Sequence, residues 1–77
     1  MTVTDFIRKL DVVFETTDLS TITPETSFKK LDEWDSMLSL SLIALADEEY
    51  QVRLTGEDIR NSSSIEDLYN KIKAKKA

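Results

Sequence analysis

The chain has 77 residues, 10 basic and 15 acidic, for a net charge of −5, with no cysteine, no histidine and a single glycine and proline. That size predicts one domain over residues 1–77 with a small stability margin, since so short a chain buries only about 60% of its unfolded surface. Without cysteine there is no disulfide or thiolate metal site, and without histidine the commonest general base and transition-metal ligand are gone, so no active site of its own is expected.

The first helix is expected over residues 4–16. Thr4 or Thr2 can cap it, and Asp5 suits the positive first turn. Phe6, Leu10, Val13 and Phe14, with Ile7 beside them, recur at three- and four-residue spacing, while Arg8, Lys9, Asp11 and Glu15 take the other side. This is an amphipathic pattern with one core-facing stripe. Residues 17–35 follow as the longest connection. Thr, Ser, Asp and Pro24 dominate its first half, but Leu19, Ile22, Phe28, Leu31 and Trp34 are too many apolar anchors for a free linker. It is expected to lie packed across the helices, with a short turn at residues 27–30, and to hold the start of the next helix in place. Trp34 is expected to pack on this connection.

The second helix is predicted over residues 36–50, with Asp35 as its N-cap. Leu38, Leu42, Leu45, Ala46 and Tyr50, with Ile43, supply its core side. Met37, Ser41, Ala44 and Glu48 form a second stripe that runs into the acids Asp47-Glu48-Glu49. So wide an apolar arc belongs to a helix that is deeply buried or that offers a patch to a partner. Residues 51–54 read as extended. Thr55 can cap a short third helix through Arg60, with Ile59 pointing inward, and Asn61-Ser62-Ser63 breaks it. Ser63 and Glu66 stand at capping-box spacing before a fourth helix over residues 64–74, whose stripe is Ile65, Leu68, Tyr69 and Ile72. The basic end, residues 70–77, is expected to fray. The predicted fold is all-α: a four-helix bundle with three long helices, one short third helix, and a long loop between the first two.

Four of the lysines lie in residues 71–77, so residues 1–70 carry −9. A field of that sign disfavours nucleic acid and anionic membrane, and it draws in basic protein surfaces. No apolar run reaches the roughly 20 residues of a membrane span, and residues 1–5 lack a basic n-region and an apolar h-region. A cytoplasmic monomer is expected.

Asp35-Ser36-Met37 is the stretch that bears on function. Ser36 occupies the first turn of the second helix, where backbone amides lack partners and the dipole is positive, a spot suited to a phosphate ester. Nucleophilic catalysis by Ser36 fails for want of a histidine base and a Gly-x-Ser-x-Gly turn. The carboxylates Asp32, Glu33 and Asp35 lack calcium-loop spacing and its glycine, so no metal site is expected; they read as solvated or offered to a partner. One glycine cannot build a phosphate-binding loop.

The layout resembles the acyl carrier protein family. The residues that carry the resemblance are Phe28 and Leu31 in the long loop, Asp35-Ser36 opening the second helix, Asp47-Glu48-Glu49-Tyr50 closing it, Thr55-Gly56-Glu57-Asp58-Ile59, and Ser64-Ile65-Glu66-Asp67-Leu68. It implies that Ser36 carries 4′-phosphopantetheine, moved from coenzyme A by a phosphopantetheinyl transferase that Asp35 helps to engage. The chain would then carry acyl or aminoacyl groups as thioesters. A loading ligase and downstream acyl-transfer enzymes with basic surfaces would read a face comprising Asp35, Met37, Ser41, Ala44, Asp47 and Glu48, with Ile59 if the third helix joins it. Met37 stands where the family usually has leucine, Leu38 and Ser41 where carriers of fatty-acid synthesis usually place acids, and Glu33-Trp34 where Gly-Ala is usual. The methionine is a mild change, Leu38 and Ser41 blunt the acidic surface at the start of the second helix, and the Glu33-Trp34 pattern is closer to D-alanyl, aminoacyl or polyketide carriers. The competing reading is an unmodified interaction module that binds a partner helix through the apolar face of the second helix.

Overall fold

The computed structural model describes residues 2–76, and among them every regular element is helical. Helix α1 spans Val3–Lys9 and runs on into a 3₁₀ turn over Leu10–Val12. Thr2 is its cap; the Thr2 hydroxyl accepts the Asp5 amide at 3.1 Å. The helix is shorter than expected. Leu10 O accepts from both Val13 N and Phe14 N at 2.9 Å, which tightens the last turn, and the amides of residues 15–17 leave the helix for a carboxylate elsewhere. The apolar stripe survives this shortening: Phe6, Leu10, Val13 and Phe14 are all buried.

The connection to the next helix is packed, as its apolar anchors required. Two further 3₁₀ turns, Leu19–Thr21 and Phe28–Lys30, punctuate it. Ile22 and Phe28 are buried, while Leu19, Leu31 and Trp34 pack against the core from its edge. Trp34 meets Phe28 edge-on, with ring centroids 4.9 Å apart, and lies 6.2 Å from Phe14. Its carbonyls also work: Pro24 O accepts Glu66 N at 2.8 Å and Thr26 O accepts Ile65 N at 3.1 Å. The loop backbone therefore satisfies amides at the start of the last helix that would otherwise be orphaned.

Helix α2, Ser36–Tyr50, has the predicted bounds. Leu42, Leu45, Ala46 and Tyr50 are buried, and Leu38 and Ile43 are partly so. It ends at Gln51, whose φ of 54° and ψ of 40° are left-handed, a conformation that usually selects glycine. The chain then runs extended, with Val52 and Leu54 buried and Arg53 between them exposed. Helix α3, Gly56–Arg60, opens on a full capping box: Thr55 Oγ1 accepts the Asp58 amide and Asp58 accepts the Thr55 amide. Ser62 is buried and donates its hydroxyl to Asp58 O at 2.8 Å.

Helix α4 spans Ile65–Lys76. Two expectations change here. The capping box is shifted by one residue: Ser64 Oγ accepts the Asp67 amide, and Asp67 reaches back to the amide and hydroxyl of Ser63, because the loop carbonyls already hold the amides of Ile65 and Glu66. The basic end is helical through Lys76 rather than frayed. Lys75 Nζ donates to Arg53 O at 2.9 Å and pairs with Asp58 at 2.6 Å, and Lys76 Nζ donates to Tyr50 O at 3.0 Å. Ala77 lies outside the described residues. The buried side chains of all four helices and the loop meet in one core, in which Phe6 lies against the rings of Tyr50 and Tyr69.

Candidate functional site

Asp35 adopts an extended backbone and turns its carboxylate back over the helix start, accepting the Leu38 amide at 3.0 Å; Asp35 O accepts the Ser39 amide. Ser36 is therefore the first residue inside α2, and it is exposed. The amides of Ser36 and Met37 precede the first intrahelical bond and sit where the helix carries its partial positive charge. An exposed hydroxyl beside unengaged amides fits a phosphodiester, whose anion these groups favour.

The side chains around it sort cleanly. Met37 and Leu40 are 66% and 62% exposed, three residues apart on one face of α2. Ser41, Ala44, Asp47 and Glu48 are exposed as well. Ile59 is not with them: it is 4% exposed, beneath α3 in the core, and no partner can touch it in this arrangement. Leu40 takes the place that sequence reasoning left empty. Its spacing from Met37 and Ala44 carried the signal, but a leucine on a strongly apolar helix is more readily given to the core. Leu40, Ile43, Ala44 and Asp47 also line a groove of about 400 Å³, closed on its far side by Arg53 and Leu54. The groove depends on where the extended segment returns against α2, which no local pattern reveals.

The carboxylates just before the site divide. Asp32 and Asp35 are exposed. Glu33 is half-buried, and both its oxygens are already engaged within the chain. One oxygen accepts the Glu15 amide at 2.6 Å, and the other accepts the amides of Thr16 and Thr17 at 3.1 and 3.0 Å and the Thr17 hydroxyl at 2.9 Å. Partial desolvation opposes ionisation, but these four donors outweigh it and hold the carboxyl down at about 2. At the other end of α2, Glu49 pairs with Lys9 at 3.1 Å, which raises the Lys9 pKa, and the Lys9 ammonium lies 4.9 Å from the centre of the Tyr50 ring.

Compared with known proteins, the chain matches no protein-family model, no curated protein and no solved structure.

Proposed function

We propose that the protein is a cytoplasmic four-helix-bundle carrier of the acyl-carrier type, made active by 4′-phosphopantetheine on Ser36. The observation that carries the reading is the exposed Ser36 hydroxyl at the first position of the longest helix, capped by Asp35 and flanked by exposed Met37 and Leu40. Ser36 would be the substrate of a phosphopantetheinyl transferase, with Asp35 on the surface the transferase engages. The amides of Ser36 and Met37 would face the phosphate. When attached, the group supplies a flexible arm ending in a thiol that holds acyl or aminoacyl cargo. Asp35, Asp47 and Glu48 would meet basic surfaces on the loading ligase and on downstream acyl-transfer enzymes, and Met37, Leu40, Ser41 and Ala44 would pack against them.

The test is direct. Incubation with a promiscuous phosphopantetheinyl transferase and coenzyme A should add the mass of one phosphopantetheine, and Ser36→Ala should abolish the addition. Modification of the mutant, or none of the wild type, overturns the assignment. The exposure of Met37 and Leu40 also favours the second reading, an unmodified module that binds a partner helix on this face. Native protein recovered without the group, and binding its partners equally well as Ser36→Ala, would select that reading.

A further inference from the structure

Glu33 has no part in the chemistry above, yet its carboxylate gathers four donors from a segment 16–18 residues away. The amides of Glu15, Thr16 and Thr17 converge as the chain turns out of α1. Three convergent amides are a ready anion site, and the chain fills it with its own carboxylate. The next residue, Trp34, turns inward. Its amide donates to Leu31 O at 3.0 Å, and its ring wedges against Phe28 and Phe14. Asp35 and then Ser36 follow at once. The two residues before Asp35 are thus fastened, Glu33 by hydrogen bonds to the amides of residues 15–17 and Trp34 by ring packing on Phe28 and Phe14.

We infer that Glu33 is a positioning residue: by tying the end of the connection to the amides of residues 15–17, it fixes where Asp35 and Ser36 are offered to the transferase. This rests on the reading of Ser36 as the attachment point. Glu33 touches neither coenzyme A nor the reacting atoms. In the step itself, Ser36 Oγ bonds to the pantetheine-bearing phosphorus of coenzyme A, the bond to the departing adenosine bisphosphate breaks, and the hydroxyl proton passes to a base of the transferase. Glu33 acts earlier, on the fraction of molecules whose helix start is in the competent arrangement.

Loss of the tie has a distinctive kinetic form. Apparent affinity falls by the competent fraction, so if an untied connection is competent about a fifth of the time, KM for the carrier rises about five-fold while kcat is unchanged. Glu33→Gln keeps the size of the side chain but turns an NH₂ toward a set of donors. Glu33→Asp keeps the charge on a stem one methylene too short. Thr17→Val removes one of the four donors and leaves the three amide hydrogen bonds, so its KM should rise by less than that of Glu33→Gln.

The experiment uses the full chain with a promiscuous transferase and coenzyme A. Initial rates come from intact mass over a range of carrier concentrations. Amide exchange at residues 14–17 and 33–38 and the emission of Trp34, the only tryptophan, are read in parallel. The expected result for Glu33→Gln is the rise in KM without a fall in kcat, faster exchange at both segments, red-shifted emission, and unchanged far-UV circular dichroism. Unchanged exchange would show that no tie exists. Faster exchange with wild-type kinetics would show a tie that positions nothing. A wild type that accepts no group overturns the attachment reading, and with it the presenting role, while exchange still decides the tie. Should Glu33→Gln lose its helical signal, Glu33→Asp serves in the same assays.

Discussion

Replacing Tyr50 by phenylalanine is expected to stabilise the protein. Tyr50 closes α2 and is 5% exposed, with its ring 6.3 Å from that of Phe6 and under the Lys9 ammonium. Its hydroxyl is buried and finds no hydrogen-bond partner among the described residues. In the unfolded chain water bonds that hydroxyl, so folding gives up its hydration without replacement, which costs about 1–3 kcal/mol. Tyr50→Phe removes the cost and keeps both the ring packing and an aromatic face for Lys9. With the lower figure, the gain is about 1 kcal/mol, or about 4–8 °C in Tm for a domain of this size. Urea unfolding followed by circular dichroism should show a higher midpoint at an unchanged m-value. Alkaline pH gives a second readout. Burial, partly offset by Lys9, raises the Tyr50 phenol above its ordinary value of 10.0. The folded state therefore holds this proton longer than the unfolded state. Its contribution is complete below about pH 10 and is lost as pH rises through the folded value. The phenylalanine variant should lack that part of the alkaline decline. A loss of 1 kcal/mol or more, with an alkaline slope equal to wild type, would refute the reasoning.

Three further outcomes follow from other parts of the molecule. Phe28→Ala empties a site that is 0% exposed and removes the partner of Trp34; it should cost about 3–5 kcal/mol, read as a lower urea midpoint and red-shifted Trp34 emission. Gln51→Gly relieves a left-handed residue at the expense of unfolded-state entropy and the hydrogen bond that Gln51 Nε2 donates to Glu48 O; the net gain should be about 0.5 kcal/mol in thermal melts, and a loss would mean that the left-handed cap carries little strain. Acid should unfold the protein through groups that stay ionised when folded: Glu33 at about 2, Asp58, held low first by Lys75, and Asp67, held low first by the Ser63 amide. Since the unfolded carboxylates near pH 4 take up protons first, stability should be level above about pH 5 and fall between about pH 4.5 and pH 2, and Glu33→Gln should flatten that slope.

What could be read along the chain was whatever is decided within a turn or two. Helix α2 begins after Asp35 and ends at Tyr50 because its cap and stripe are local, and the same holds for Thr55 and α3. The buried stripes of α1 and α4 follow from three- and four-residue spacing. The misses share another cause. The end of α1 depends on Glu33, 16–18 residues further on. The shifted cap of α4 depends on Pro24 and Thr26. The order of the lysine end depends on Arg53, Asp58 and Tyr50. A carboxylate or an ammonium with several donors or acceptors in reach has no sequence signature. Leu40 stands in neither predicted stripe, and Ile59, rightly read as pointing inward, does not reach the partner face conditionally assigned to it, since spacing gives the angle of a residue on its helix and not which neighbour covers it.

The placement of charge bears on the proposed role. A basic C-terminal stretch could have neutralised the acids of α2, leaving the chain electrostatically bland. Two of its four ammonium groups are held elsewhere: Lys75 is bound at Asp58 and Arg53 O, by the far wall of the groove, and Lys76 at Tyr50 O, at the C-terminal end of α2. Lys9 takes Glu49 alone. Asp35, Asp47 and Glu48 remain exposed on the helix that presents Ser36, with Met37 and Leu40 among them. On the carrier reading, these two kinds of side chain do different work. The acids raise the rate of encounter with a basic partner surface, an effect that salt screens over about 8–10 Å. The apolar pair, once covered, sets how long the partner stays. Raising the ionic strength should therefore slow association with the transferase far more than it speeds dissociation.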